Sequence, residues 1–247
     1  MRLFGLIGFP LKHSFSSRYF TDKFAREGRT DCAFENFELK NIDEIRQVLA
    51  EHPNIEGLAV TIPFKKKIIR LLDEGTEAVR QMVACNCVRI KDGKLYGYNT
   101  DVLGFEASFR KWIQPHHQKA LILGTGGAAD AVAYVFRKLG IEYLFVSRSS
   151  DFRPMTIPYK ALAQALFDDH TIIVNCTPVG TYPNISECPP IPYDYITPKH
   201  YLFDLVYNPA ETTFLKRGAE QGAITSNGYE MLVLQAEENW KIWNAND

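Results

Sequence analysis

The chain has 247 residues, enough for one large or two modest domains, and its 46% hydrophobic and 23% charged residues are the balance of an ordinary globular protein. A formal net charge of -1 offers no basic footprint for nucleic acid or an anionic membrane, so a small, oriented ligand is the expected partner. No run approaches the ~18 apolar residues of a membrane span, and the apolar start, broken by glycines and stopped by Pro10, reads as a strand and not a leader, so the expected setting is cytoplasmic.

Residues 3–9 read as a buried strand, and Ser16 as the cap of a helix that turns Tyr19, Phe20 and Phe24 to one side and ends at Gly28. Alternation predicts a strand over 33–39. Asn41 with Glu44 forms a capping box, opening a helix with Ile42, Ile45, Val48 and Leu49 inward. A strand over 57–62 is stopped by Pro63, and short helices follow at 65–72 and 76–82. Strands 85–90 and 94–98 join through Asp92-Gly93, a hairpin signal, so the first hundred residues predict a mixed sheet with helices.

A helix over 102–112 leads to Pro115-His116-His117-Gln118, read as a linker with exposed histidines. Strands are predicted at 120–123, 143–146, 171–174 and 201–206. Helices fall between them, one running through Leu139 to Gly140 and another over 211–221 to Gly222; the last helix covers 229–243. Strands alternating with helices predict a parallel, doubly wound sheet. The five cysteines, Cys32, Cys85, Cys87, Cys176 and Cys188, form no C-x-x-C pair and read as buried, reduced thiols with no metal site. Cys85 and Cys87, two apart, are expected on one face of a strand.

Strand 120–123 runs into Gly124-Thr125-Gly126-Gly127-Ala128-Ala129, a G-x-G-x-x-A turn before a helix. Gly124 allows the tight turn, Gly126 lets backbone approach a pyrophosphate, and Ala129 permits close helix packing; the helix N-terminus offers N–H groups to the anion. The cofactor-binding loop is therefore Gly124, Thr125, Gly126, Gly127 and Ala128. At the end of the next strand, where an acid would hold the ribose of NAD, stands Ser147-Arg148-Ser149. A cation between two hydroxyls suits a 2′-phosphate, so the expected cofactor is NADP.

Polar residues also gather where the N-terminal strands end: Ser14 and Ser16, Thr61 with Lys65, Asn86, and Asn99-Thr100-Asp101. Singly, each has a plain reading as a helix cap, a turn or a solvated lysine run. Their wording is more specific. Gly5-Leu6-Ile7-Gly8-Phe9-Pro10-Leu11-Lys12-His13-Ser14-Phe15-Ser16, Val60-Thr61-Ile62-Pro63-Phe64-Lys65, Ala84-Cys85-Asn86 and Gly97-Tyr98-Asn99-Thr100-Asp101 resemble shikimate dehydrogenases. So do Asn175-Cys176-Thr177-Pro178-Val179-Gly180, Asp204-Leu205-Val206-Tyr207-Asn208-Pro209, and Gly228 with Met231-Leu232 and Gln235, all in family order.

The resemblance implies reversible reduction of 3-dehydroshikimate to shikimate with NADPH. It implies Ser14 and Ser16 at the substrate carboxylate, and Thr61, Asn86, Tyr207 and Gln235 at the ring hydroxyls. Lys65 and Asp101 would be the catalytic pair, with Leu205 and Gly228 near the nicotinamide. The chain departs from the family at Arg153, one place late for the second arginine of N-R-T-x-x-R, at Thr181 in place of a usual Met, and at Ala59 in place of a common Asn. The expected organisation is α/β. An N-terminal mixed-sheet substrate-binding and catalytic domain takes residues 1–101 plus the helix region 229–247; a Rossmann-like doubly wound NADP-binding domain takes 102–228, with a cleft between. A relative acting on quinate, or a non-catalytic NADP- or metabolite-responsive regulator, are the alternatives on this scaffold; Lys65 and Asp101 argue against the regulator.

Overall fold

A computed structural model describes residues 1–11, 14–148 and 153–245. The chain divides into two compact units, Met1–Thr100 with Gln235–Asp247, and Asp101–Leu234. The second boundary falls inside the last helix, six residues beyond the expected 229.

In the first unit the chain runs β1 (Arg2–Gly8), α1 (Phe15–Arg26), β2 (Cys32–Glu38), a 3-10 turn into α2 (Ile45–Glu51), β3 (Ile55–Val60), a 3-10 stretch at Lys67–Leu71, β4 (Glu74–Gly75), α3 (Glu77–Met82), β5 (Cys87–Lys91) and β6 (Lys94–Tyr98). Among the described residues these strands form one sheet in the order β2-β1-β3-β5-β6-β4. β1 is parallel to β2 and β3, whose connections contain helices, while β5 is antiparallel to β3 and β6. The β5–β6 turn is Asp92-Gly93, both at positive φ (52° and 73°), as a two-residue hairpin demands.

Pleating divides β1 between two cores. Leu3 and Ile7 join Leu58, Val60 and Phe64 on one face, while Phe4 and Leu6 join Phe20, Phe24, Trp240 and Trp243 on the other. Both faces are covered, which is why the strand reads as a continuous apolar run.

Local readings need three corrections here. Ser14, not Ser16, caps α1, its side chain accepting from the Ser17 N–H at 3.2 Å. The stretch predicted as a helix over 65–72 is 3-10 over Lys67–Leu71. Cys85 and Cys87 pack in opposite cores, because Cys85 precedes β5 and strand alternation does not reach it. The capping box of Asn41 and Glu44 is present, on a 3-10 turn (Ile42–Glu44) leading into α2.

The second unit contains α4 (Thr100–Phe109, starting on the last residue of the first), β7 (Lys119–Leu123), α5 (Gly127–Leu139), β8 (Glu142–Ser147), β9 (Thr156–Pro158), α6 (Gln164–Asp169), β10 (Ile172–Asn175), β11 (Tyr201–Asp204), α7 (Thr213–Glu220), β12 (Ile224–Asn227) and the start of α8 (Tyr229–Trp243). Its sheet is parallel throughout, in the order β12-β11-β10-β7-β8-β9. The chain starts in the middle, winds outward through β8 and β9, then returns to the other side of β7. This is the doubly wound arrangement, with its switch point between β7 and β10. Leu121, Leu123, Ile173 and Leu202 pack with Phe167 and Phe214 on one face. On the other, Phe105 of α4 lies 5.2 Å from Phe203 and 5.8 Å from Phe136 of α5.

The short strands β4, β9 and β12 escape periodicity because two to four residues carry too little pattern. His117 also departs from expectation: it is buried, its Nδ1 accepting from the Gln114 N–H at 2.9 Å and its Nε2 facing the Lys199 carbonyl at 3.0 Å. The supposed linker is pinned. Cys32, Cys85 and Cys87 are buried as read, but Cys176 and Cys188 are only half-buried; among the described residues, which include all five, no disulfide forms.

Candidate active site

In the first unit, β1 and β3 lie side by side and parallel, so the segments that leave them emerge at one edge. The Thr61 N–H donates to the Ile7 carbonyl at 2.9 Å and the Phe9 N–H to the Ile62 carbonyl at 3.1 Å. The Thr61 methyl packs against Gly8 so closely that a Cβ there would overlap it. Phe64, fully buried, anchors the next turn. Lys65, half-buried, follows it, and its carbonyl accepts from the Cys85 N–H at 2.8 Å; the Asn86 carbonyl accepts from the Val60 N–H at 2.8 Å. Thr61, Lys65 and Asn86 are thereby held together through backbone. Ser14 and Ser16 are both half-buried at the start of α1. The Ser14 cap uses its oxygen as acceptor and leaves its O–H to donate.

The Asn86 side chain is buried and doubly held. Its Oδ1 accepts from the Thr100 N–H at 2.7 Å, and its Nδ2 donates to Thr100 Oγ1 at 3.0 Å. The Thr100 hydroxyl in turn donates to Asn239 Oδ1 at 2.7 Å. Asn239 is wholly buried on α8, one turn beyond the buried Gln235 and so on the same helix face. The sequence groups Thr100 with the strand-end residues Asn99 and Asp101 but gives it no partner, and it marks Asn239 with no role. The available signal was an amide placed among Ala236, Trp240 and Trp243 on the apolar face of α8. Lys65 belongs to the first unit; Asp101, half-buried in the first turn of α4, belongs to the second.

In the second unit, a cavity of about 410 Å³ opens where β7, β8 and β10 end, lined among others by Gly124, Gly126, Ser147, Arg148, Tyr159 and Thr177. It lies at the switch point, where open α/β sheets bind ligands. Gly124 has φ 103°, and a Cβ there would come within 3.0 Å of Thr177, so both backbone and packing require glycine. Beside Gly126 and Gly127 the space is open. Gly126, which lines the cavity, caps α5 without a side-chain bond, so the helix begins at the cavity, an arrangement suited to a phosphate. Thr125 and Ala128 are exposed on this loop, while Ala129 is fully buried against the sheet. Ser147 and the exposed Arg148 line the cavity; Ser149 lies outside the described residues. This loop, its open cradle and the cation at the end of β8 fit a dinucleotide carrying a 2′-phosphate.

Behind the cavity lies a buried polar network that the sequence reading assigned no role. Asp204 accepts from the Thr212 hydroxyl at 2.6 Å, the Val206 N–H at 3.0 Å and Asn175 Nδ2 at 2.9 Å. Burial pushes its carboxyl up to about 6, against the lowering effect of those three donors. Asn175 Oδ1 accepts from the Thr177 N–H and hydroxyl at 3.0 and 2.6 Å. The loop after β10 and the segment after β11 are thus tied together. That segment carries Leu205 and the exposed Tyr207. Gly228 abuts the Leu205 backbone, where any Cβ would overlap the Leu205 carbonyl. The structure therefore joins Leu205 to Gly228. The readable signal for Asn175 and Asp204 was one polar residue ending each apolar strand. Among the described residues no cluster of His, Cys, Asp or Glu is arranged for a metal ion, and no helix is long and apolar enough to cross a membrane.

Comparison with known proteins places these features in a wider set. Residues 6–88 match the shikimate dehydrogenase substrate binding domain. The shikimate dehydrogenase (NADP(+)) of Methanosphaera stadtmanae is 34% identical over 256 residues, covering 97% of this chain and 90% of that protein. The crystal structure of shikimate dehydrogenase from Aquifex aeolicus is similar with a TM-score of 0.85 and 32% identity, covering 99% of this chain and 92% of that one. The shikimate 5-dehydrogenase of Thermus thermophilus, solved in complex with NADP(H) and shikimate, gives a TM-score of 0.84 at 26% identity over 99% of this chain and 94% of that one.

Proposed function

The chain belongs to the shikimate dehydrogenase family, and from that membership we propose that it catalyses the reversible NADPH-dependent reduction of 3-dehydroshikimate to shikimate. The observation that carries the reading is the Asn86 amide, clamped by Thr100 beside the Lys65 backbone at the edge where β1 and β3 end. A rigidly oriented amide at this edge suits the recognition of a ring hydroxyl.

When bound, NADPH supplies the hydride. The chain's own part is to bind, orient and move a proton. Negative charge grows on the ketone oxygen during reduction, and the Lys65 ammonium stabilises it and donates the proton. Its base is stiff, set by buried Phe64 and the Lys65 carbonyl bond to Cys85. Asp101 is the second member of the catalytic pair. In the oxidative direction neutral Lys65 accepts the hydroxyl proton. Ser14 and Ser16 take the substrate carboxylate, and Thr61, Asn86, Tyr207 and Gln235 the ring hydroxyls. The Gly124–Ala128 turn takes the pyrophosphate, Ser147, Arg148 and Ser149 the 2′-phosphate, and Leu205 with Gly228 borders the nicotinamide. In this reading the first unit supplies Ser14, Ser16, Thr61, Lys65, Asn86 and Gln235, and the second supplies Asp101, Tyr207 and the cofactor residues.

The test is an absorbance assay of the purified chain with shikimate, run with NADP and NAD in parallel and with quinate as the competing substrate. Shikimate oxidation that favours NADP is expected. A chain that binds NADPH yet oxidises neither shikimate nor quinate would be the regulator and not the enzyme.

A further inference from the structure

Two arginines follow β8, and the fold uses them differently. Arg148 is exposed and lines the cavity. The Arg153 guanidinium lies 3.6 Å from the centre of the Phe145 ring and pairs with Asp130 at 2.8 Å. One of its nitrogens stands 3.5 Å from the carbonyl oxygen of Thr125, inside the glycine turn. Both partners of the pair are largely covered, with side chains 29% and 21% exposed. Asp130 sits in the first turn of α5, the helix whose N-terminus faces the cavity.

An acid in a first helical turn is ordinarily favourable, because it meets the positive end of the helix dipole. At this helix the same positive end faces a site suited to phosphate, so the carboxylate competes with the ligand. It also neutralises Arg153. Asp130 and Arg153 together contribute no net charge, so of the two arginines that follow β8, a 2′-phosphate there meets Arg148 without the full charge of Arg153. The Phe145 ring gives Arg153 a second support, a cation–π contact that does not depend on Asp130.

We infer that Asp130 is a specificity-determining residue for the cofactor: by engaging Arg153 beside the glycine turn, it narrows the preference for NADP over NAD that Arg148 creates. The inference rests on the dinucleotide reading of this cavity. Asp130 is not a catalytic residue; it acts through Arg153 on the binding of one phosphoryl group. Released from Asp130, the guanidinium keeps its aromatic platform and turns its donors toward the phosphate.

The experiment titrates NADPH and NADH into the full-length chain without substrate, at low and at high salt. Asp130→Asn should tighten NADPH by about threefold to fivefold, the scale of a partly exposed ion pair, and change NADH less than about twofold. The gain should shrink at high salt. Arg153→Gln in the natural background should alter NADPH binding by less than about twofold, and in the Asp130→Asn background it should erase the gain. Equal tightening of both nucleotides, or a gain that survives loss of Arg153, would overturn the inference, since either would reflect general relief at the helix terminus. An unchanged NADPH affinity in Asp130→Asn overturns it too. A natural chain that binds neither nucleotide removes the dinucleotide reading itself, and the inference with it.

Discussion

The Thr100 hydroxyl donates to the buried Oδ1 of Asn239 at 2.7 Å, closing a chain that runs from α8 to the Asn86 amide. With its proton committed to Asn239, the Thr100 oxygen receives the Asn86 NH2, and the Thr100 N–H holds Asn86 Oδ1. Replacing Asn239 by Ala removes that acceptor and leaves the Thr100 hydroxyl the longer contact to Asn86 Oδ1 at 3.2 Å. We expect a loss of roughly 0.5–1.5 kcal/mol in urea unfolding, the net worth of a hydrogen bond. The KM for shikimate should rise while NADPH affinity, titrated without substrate, stays near the natural value. A cofactor defect as large as the substrate defect would show that Asn239 acts on the whole fold and not on Asn86.

Arg148 lines the cofactor cavity from the end of β8. Hydrogen bonds to a charged group are worth roughly 1.5–3 kcal/mol, so Arg148→Ala should weaken NADP about tenfold to a hundredfold. NAD, which has no 2′-phosphate, should be almost unaffected. Comparing KM for the two cofactors in the same variant checks this, and an equal loss for both would mean structural damage.

Lys65→Ala should lower kcat by about 10²–10⁴ with KM less affected, as for a positioned acid or base. Asp101→Ala should lose activity as well. If the two work as one unit, the double variant should lose far less than the two losses combined. Steady-state kinetics on the three variants decides it.

Three histidines shape stability against acid. Burial lowers the pKa of His117, His170 and His200 below the ordinary 6.5. As pH falls through about 6.5, the unfolded chain takes up protons that these folded side chains refuse, so stability falls toward their folded values. Asp204 works in the other direction. Its carboxyl is raised from 3.8 to about 6, so over that interval the folded state holds a proton the unfolded chain has lost. The histidines tilt the urea midpoint downward between about pH 7 and pH 5, and Asp204 tilts it upward as pH falls through about 6. His200→Gln should raise the midpoint at pH 5 relative to that at pH 7, compared with the natural chain; an unchanged difference would overturn the assignment.

Much of the chain was legible because its signals act over a few residues. The capping box at Asn41 and Glu44, the Asp92-Gly93 turn, the glycine turn at Gly124 and the bounds of α8 all follow from short-range turn chemistry and helical periodicity. The same local rules read the two α/β patterns and set Arg148 at the end of β8, where it lines the cavity beside the glycine turn. They failed where the answer depends on which segments become neighbours. Cys85 and Cys87 look like one strand face until β5 is seen to begin at Cys87, and His117 looks exposed until the Lys199 carbonyl closes over it. Thr100 finds Asn239 across 139 positions, Asn175 finds Asp204 across 29, and Arg153 finds Asp130 on another element. Periodicity and turn chemistry carry no address for such partners. Strand order and helix packing bring them within bonding distance, and burial then makes each polar group require the partner it meets.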